Sequence, residues 1–267
     1  MPRSENGGVV GARNFTSINA APGVYQLKNQ FVANITSGWP RSGNIFVAFS
    51  QGTASPLSVY SFSSLGGFNT KLSNPGTAPT GNLFSVRFSN DGKSIAFCGS
   101  VSPYVFTYPW STSGFGTKFS DPATLPAGSA QNVRFNTLYT AIAVGHQTTP
   151  FISVYPWSGS GFGSKFSNPS TLPGSTTTCL SFTNTNDIIV GSQSPYLSAY
   201  PFNTSTGFGT RYVTPGSQPG GVPLGLAVGN KNDSIAVAAQ TASPYYGIWA
   251  WTNLTGFGTR YSDPTSI

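Results

Sequence analysis

The chain alternates short apolar runs with clusters of Gly, Pro, Asn, Asp, Ser and Thr, and no stretch has the apolar periodicity of an amphipathic helix. Short apolar runs bounded by turn residues predict β-strands. Between residues 84 and 120 we predict four, named strands A to D: Phe84–Ser89, Ser94–Cys98, Tyr104–Trp110 and Phe115–Ser120. Asp91-Gly92, between strands A and B, supplies the positive-φ positions that a tight hairpin needs. The pattern therefore predicts an antiparallel sheet of consecutive strands.

This four-strand pattern is repeated along the chain. A Gly-Phe pair marks each copy, beginning at Gly67, Gly114, Gly161, Gly207 and Gly256, with spacings of 47, 47, 46 and 49 residues. Propeller blades have a similar length of roughly 40 to 50 residues. A solenoid would instead need capping repeats with polar outer faces, and the first and last copies here resemble the middle ones. We therefore predict an all-β fold, a five-bladed β-propeller of four-stranded antiparallel blades with a repeat of about 47 residues.

The predicted domain boundaries follow the repeats. The blades cover about residues 31–75, 84–122, 131–169, 178–215 and 224–264, within a propeller domain of residues 31–267. Residues 1–30 precede this domain, and the segment 11–16 within them loosely echoes the strand D motif. Residues 1–30 are expected to form either an N-terminal docking arm or a segment that closes the ring, and the sequence leaves both alternatives open.

The composition agrees with a turn-rich β protein. Only 7% of the residues are charged, whereas the chain contains 32 glycines and 21 prolines. The N-terminus lacks the apolar core of a signal peptide, and no run of about 18 apolar residues could span a membrane. We therefore expect a soluble protein made in the cytoplasm of the cell that produces it. Cys98 and Cys179 lie at different positions of different repeats, which favours buried free thiols over a disulfide.

The inventory of reactive side chains argues against an enzyme. Five of the six acidic residues fall in predicted turns: Asp91, Asp121, Asp187, Asp233 and Asp263. The single histidine, His146, is expected at the rim of the fold rather than in a catalytic triad. One histidine, two separated cysteines and no acidic cluster supply no metal site. We therefore predict no catalytic residue, no metal and no cofactor.

Aromatic residues form the first repeated candidate surface. One position of strand C holds Phe62, Trp110, Trp157, Phe202 and Trp251. The position two residues earlier holds Tyr60, Tyr108, Tyr155, Tyr200 and Trp249. A spacing of two places both members of each pair on the same face of the strand. These side chains either pack between blades as core, or form a ring of platforms that bind sugar rings or a neighbouring protein.

Basic residues form the second repeated candidate surface, a basic rim. Strand D carries Lys71, Lys118, Lys165, Arg211 and Arg260. Charge on an edge strand ordinarily prevents edge-to-edge association. With a net charge of +7, the rim is also expected to attract acidic partners, but its even spacing disfavours a nucleic-acid groove. Arg87 and Arg134 occupy equivalent positions in strand A, where we predict that they line a central channel and bind a small anion.

Several long blocks resemble WD-like repeat β-propeller proteins encoded by tailed bacteriophages. They include Ser102–Val105, Val154–Ser158, Ser113–Pro122 and Thr124–Pro126. The resemblance extends over about residues 31–264, although the chain lacks the Gly-His and Trp-Asp pairs of true WD repeats.

The resemblance implies a non-enzymatic structural or interaction protein of a virion, such as a capsid decoration, collar or tail component that could contact the host surface. The implied partners are other capsid or tail proteins and a host surface glycan, with several copies set by particle symmetry and no membrane. The implied location is the virion, after synthesis in the host cytoplasm. The alternative function is a multivalent carbohydrate-binding lectin, because a fold does not determine a function.

Overall fold

The computed structural model describes residues 31–33, 45–50, 57–63, 67–240 and 245–263, and the predicted arm or closing segment of residues 1–30 lies outside them. The described residues contain strands and no helix. The strands are β1 (Phe31–Ala33), β2 (Ile45–Ser50), β3 (Leu57–Ser63), β4 (Gly67–Lys71), β5 (Leu83–Phe88), β6 (Ser94–Gly99), β7 (Val105–Ser111), β8 (Gly114–Phe115), β9 (Ala130–Phe135), β10 (Ala141–His146), β11 (Ile152–Ser158), β12 (Gly161–Phe162), β13 (Thr177–Phe182), β14 (Ile188–Ser192), β15 (Leu197–Tyr200), β16 (Phe202–Asn203), β17 (Gly207–Phe208), β18 (Pro223–Val228), β19 (Ser234–Ala239), β20 (Tyr246–Thr252) and β21 (Gly256–Arg260).

Strands that are consecutive along the chain pair with one another. The sheet order is β1-β2-β3-β4 in the first repeat, β5-β6-β7-β8 in the second and β18-β19-β20-β21 in the fifth. The pairing is antiparallel, and its register is equivalent in different repeats, with Ile95 opposite Tyr108 and Ile142 opposite Tyr155. The predictions of an all-β fold and of antiparallel sheets are therefore confirmed.

The turn between strands A and B has the conformation that the sequence predicts. The amide of Gly92 donates to the carbonyl of Ser89 at 3.0 Å, and Gly92 has a φ of 70°. Asn186 and Asn232 have φ values of 72° and 59° in the same turn of later repeats. Glycine and asparagine tolerate this left-handed region better than other residues, because a glycine has no Cβ and an asparagine side chain bonds locally.

Strand D is shorter than predicted in the middle repeats. We expected it to span Phe115–Ser120, but β8 contains only Gly114 and Phe115. The carbonyl of Pro109 in strand C faces strand D and accepts a hydrogen bond from Gly116 at 2.8 Å. A proline has no amide hydrogen to return, so the ladder is interrupted after this bond. In the first and fifth repeats Ser61 and Ala250 replace the proline, and β4 and β21 each extend over five residues.

The fourth repeat departs from the others because its A–B turn is one residue shorter. In the second repeat the amide of Trp110 donates to the carbonyl of Lys93 at 2.7 Å. In the fourth repeat the equivalent amide, that of Phe202, bonds instead to the carboxylate of Asp187. The strand is broken at Pro201, so β13-β14-β15 and β16-β17 form separate ladders. The carboxylate of Asp187 is thus the acceptor in the place where the second repeat uses a backbone carbonyl.

The described residues belong to two compact units. One contains those up to Asp121 together with Gly159–Phe162, and the other contains Pro122–Ser158 and the residues from Gly163 onward. In the first unit the core joins Leu57 and Val59 of β3 to Val86, Phe97 and other residues of the second repeat. The second unit has two core clusters, one between the third and fourth repeats and one between the fourth and fifth. Within each unit the core therefore lies between successive sheets.

Candidate functional site

The strand C aromatics, for which the sequence left core packing and a binding platform as alternatives, are core residues wherever their side chains are described. Their exposed fractions are 4% for Trp110, 6% for Trp157, 6% for Phe202 and 2% for Trp251. Trp110 contacts Phe115 edge to face, with ring centroids 4.9 Å apart, and Trp251 contacts Phe257 in the same way at 5.2 Å. A buried ring cannot stack on a sugar, so the platform interpretation is corrected for these four residues. The side chain of Phe62 lies outside the described part of the structure.

The aromatics two residues earlier have a structural role that the sequence analysis missed. The hydroxyl of Tyr108 donates to the carbonyl of Thr77 at 2.8 Å, and that of Tyr155 donates to the carbonyl of Thr124 at 2.8 Å. In the fifth repeat Trp249 Nε1 donates to the carbonyl of Ser217 at 2.8 Å. Each bond ties a buried strand C to the crossover segment that precedes its repeat. The sequence signal is the recurrence of Tyr or Trp, because these rings, unlike that of Phe, carry a hydrogen-bond donor when buried.

The basic rim residues bind neighbouring side chains. Lys118 forms an ion pair with Asp121. Arg260 bonds to Asp263 at 2.5 Å, and its guanidinium lies 5.6 Å from the centre of the Trp249 ring. Lys165 donates to Asn168 Oδ1 at 2.5 Å. The positive charge of Arg211 acts on the pKa of the Tyr200 hydroxyl, and Lys71 is exposed. Much of the predicted rim charge is thus engaged in holding strand D to the turn that follows it.

His146 is buried and does not lie at the rim, as we had predicted. Its imidazole is within 3.1 Å of Ser153 Oγ, and the two residues are 0% and 1% exposed. Burial lowers the pKa of His146 to about 4, so the ring is neutral near pH 7. A histidine and serine pair resembles part of a catalytic triad. Because solvent reaches neither side chain, the pair has no access to a substrate and acts as an internal hydrogen bond between β10 and β11.

The described carboxylates are engaged locally, which agrees with their prediction as turn residues. The turn contacts are those of Asp91 with the Ser89 hydroxyl at 2.6 Å, Asp121 with Lys118, Asp187 with Thr185 at 3.3 Å, Asp233 with Ser234 at 3.1 Å and Asp263 with Arg260.

Among the described residues no group of three or more His, Cys, Asp or Glu side chains could hold a metal ion. Within the same part of the chain, no helix is long and apolar enough to cross a membrane.

Arg87 is a half-buried cation in the first unit. Its Nη1 donates to the carbonyl of Val86 at 2.8 Å, and its Nε is buried without a hydrogen-bond partner. Burial lowers the pKa of Arg87 to about 10, and the nearby Cys98 acts in the opposite direction. The guanidinium is still protonated at neutral pH. Within the described ranges no carboxylate forms an ion pair with Arg87, so its charge lacks a counterion there.

Arg134 occupies the equivalent position in the second unit. It lies opposite Ala143 in the β9–β10 ladder, as Arg87 lies opposite Ala96 in the β5–β6 ladder. Its Nη1 is buried without a hydrogen-bond partner, and so is Oδ1 of Asn132, two residues earlier on the same face. The two arginines that the sequence analysis selected from their repeated position are therefore, each in its own unit, half-buried cations with one buried nitrogen that has no described partner.

Comparison with known proteins gives a likeness of fold. No protein-family profile and no curated protein matches the sequence. A putative 6-phosphogluconolactonase from Bacteroides uniformis is 12% identical, with a TM-score of 0.62 over 82% of this chain and 67% of its own. A putative 6-phosphogluconolactonase from Bacteroides fragilis is 11% identical, with a TM-score of 0.65 over 83% of this chain and 67% of its own.

The names of these two structures of similar fold correct two of our predictions. We expected a non-enzymatic virion protein, or alternatively a lectin, and we expected no enzymatic activity. Two solved structures that share the fold are instead named as enzymes. The inventory of reactive side chains pointed away from catalysis because it counted carboxylates and histidines, whereas arginine donors can also serve a reaction. The predicted resemblance to phage proteins, the virion location and the virion partners stay predictions.

Proposed function

We propose that this protein is a hydrolase that opens the lactone ring of an anionic sugar. The observation that carries the proposal is that Arg87 and Arg134, each in its own unit, are half-buried strand A arginines without a carboxylate partner among the described residues. A half-buried guanidinium without a carboxylate partner can bind an anionic group of a ligand. Arginine is suited to this because its planar donors match the oxygens of phosphate and carboxylate groups.

Two further features support a sugar-phosphate substrate. The neighbours' names specify a phosphorylated lactone as the compound on which those proteins act. The net charge of +7, with only six acidic residues in the sequence, would attract an anionic substrate from solution. In the reaction, water adds to the lactone carbonyl, the ring C–O bond breaks, and the products are a carboxylic acid and a hydroxyl group. An arginine of this kind would contribute by binding the anionic group of the substrate and by stabilising negative charge.

We also propose that the repeats are the five blades of a propeller. The equivalent register of successive sheets supports this assignment. So does the recurrence of one strand D to strand C hydrogen bond in every repeat: Leu72 to Val59, Phe119 to Thr107, Phe166 to Val154, Tyr212 to Ala199 and Tyr261 to Ile248.

The test is lactone hydrolysis by the purified full chain. Proton release from 6-phosphogluconolactone should exceed the spontaneous rate, and Arg134→Gln should raise KM by about tenfold or more because a charge-assisted contact is lost. The control is Lys231→Gln, which removes an exposed charge from the A–B turn of the fifth repeat and should leave both kinetic parameters unchanged. Hydrolysis at the spontaneous rate would disprove the proposed activity.

A further inference from the structure

Asparagines occupy the left-handed position of two A–B turns in which the second repeat has a glycine. Asn186 and Asn232 have φ values of 72° and 59°, and Gly92 has a φ of 70° at the equivalent position. In all three turns the amide of this residue donates to the carbonyl of the residue three positions earlier. A glycine adopts this conformation without a steric cost, because it has no Cβ. The conformation of the turn alone therefore does not explain why asparagine is used in the later repeats.

The side chain of Asn232 joins the A–B turn of the fifth repeat to that of the fourth. Its Oδ1 accepts a hydrogen bond from the backbone amide of Asn184 at 3.0 Å, and its Nδ2 donates to Oγ1 of Thr185 at 3.3 Å. In the opposite direction, Nδ2 of Asn184 donates to the carbonyl of Asn230 at 3.1 Å. Hydrogen bonds thus run both ways between these two turns.

The side chain of Asn186 joins the A–B turn of the fourth repeat to that of the third. Its Oδ1 accepts a hydrogen bond from Nδ2 of Asn136 at 3.0 Å. Asn136 is fully buried, and its own Oδ1 accepts from the amides of Thr140 and Ala141, both at 2.9 Å. Because these bonds already hold the Asn136 side chain, it loses little further freedom when it binds Asn186. One asparagine therefore stabilises its own turn and the contact with the next.

We infer that Asn136, Asn184, Asn186 and Asn232 form a turn strap that makes the third, fourth and fifth repeats open cooperatively. All four residues lie in the second unit. The apolar clusters join the same repeats through their sheets, and the strap joins them at the turns between strands A and B. In an array of repeats, cooperativity comes from the interaction of each repeat with its neighbours. The strap strengthens that interaction, and the inference does not depend on the proposed hydrolysis.

The experiment is hydrogen exchange of the full chain at the backbone amides of β10, β14 and β19, which are strand B of the third, fourth and fifth repeats. Asn232→Gly keeps a residue that adopts the left-handed turn and removes two of the bonds to the fourth repeat. It should accelerate exchange in β19 by about tenfold, because each lost bond favours local opening of the fifth repeat. Asn186→Gly removes one bond and should accelerate exchange in β10 by about threefold.

Asn184 and Asn90 provide a matched control, since they occupy the same position of the A–B turn in the fourth and second repeats. In the turn of the second repeat the described side-chain bonds are local, from the Ser89 hydroxyl and the Lys93 amide to Asp91. Asn184→Ala removes the bond to Asn230 and should accelerate exchange in β19 by about threefold. Asn90→Ala should change exchange in β6, strand B of its own repeat, by less than about twofold.

Two results would overturn the strap. Unchanged or slower exchange of β19 in Asn232→Gly would mean that the asparagine serves only the conformation of its turn. Equal acceleration of β19 and β6 in the same variant would mean that the substitution destabilises the whole chain and not the contact between the fourth and fifth repeats.

Discussion

At the scale of single residues, environment rather than residue type decides what each ionisable group can do. Asp91 and Asp187 both lie in A–B turns, yet Asp91 is near the surface whereas Asp187 is 5% exposed and replaces a backbone carbonyl. Burial raises the pKa of Asp187 from 3.8 to about 6, and the hydrogen bonds from Thr185 and Phe202 only partly oppose the rise. The folded protein therefore favours the protonated carboxyl.

This pKa shift predicts a pH-dependent effect of Asp187→Asn. A raised pKa in the folded state contributes stability below the unfolded pKa of 3.8, and that contribution is lost as the pH rises through about 6. An asparagine keeps an acceptor for the Phe202 amide but carries no charge. The stability of the variant relative to the wild type should therefore be greater at about pH 7.5 than at about pH 4, by on the order of 1 kcal/mol. Urea unfolding of both proteins at the two pH values measures the difference, and a pH-independent difference would contradict it.

At the scale of elements, the Tyr-Pro-Trp and Gly-Phe-Gly blocks recur together because they pack on each other. A Cβ on Gly163 would lie 2.8 Å from Cβ of Pro156, and the Gly163 amide donates to the Pro156 carbonyl at 2.9 Å. In the first repeat Ser61 replaces the proline and Asn69 replaces the glycine. The Ser61 hydroxyl there accepts a hydrogen bond from the Thr70 amide at 3.1 Å.

This packing predicts that Gly163→Ala and Pro156→Ala are coupled. Alone, Gly163→Ala should destabilise the protein by about 1 to 2 kcal/mol because the new methyl group overlaps the proline ring. In a Pro156→Ala background the penalty should fall by at least about 0.5 kcal/mol. Alanine removes the ring atoms at 3.1 and 3.5 Å, and in the fifth repeat, where Ala250 is in this position, the Cβ contact is looser at 3.2 Å. A double-mutant cycle from urea denaturation measures this coupling. Gly159→Ala is the control, since a Cβ there would meet nothing within 4 Å. Additive effects of the two substitutions would refute the coupling.

At the scale of the whole molecule, few charges are present and their sign is biased. The sequence has thirteen Lys and Arg residues against six Asp and Glu. Two of the basic side chains, Lys118 and Arg260, are neutralised locally by ion pairs. The remaining positive field would raise the local concentration of an anionic substrate, and added salt would screen it.

We therefore predict that KM for 6-phosphogluconolactone rises by about threefold or more when the ionic strength is raised from about 0.05 M to about 0.5 M, with little change in kcat. Initial rates at several salt concentrations, corrected for spontaneous hydrolysis, provide the measurement. Unphosphorylated gluconolactone serves as the neutral comparison and should show a much smaller dependence. The same salt dependence for both lactones would contradict a role for the protein's charge.

The sequence by itself determined the all-β class, the order of strands within a repeat, the A–B turns and the repeated position of Arg87 and Arg134. These properties follow from local rules, since turn residues and short apolar runs act within a few positions of the chain. It did not determine the length of strand D. Pro109 in strand C has no amide hydrogen to donate to strand D, so the hydrogen-bond ladder between the two strands ends early. Nor did the sequence determine burial, because Trp251 and His146 are enclosed by residues distant in sequence, and only tertiary packing decides which polar atoms have partners. Tertiary packing thus separates the aromatic rings, which are buried, from Arg87 and Arg134, which stay half-buried with donors that can bind an anion.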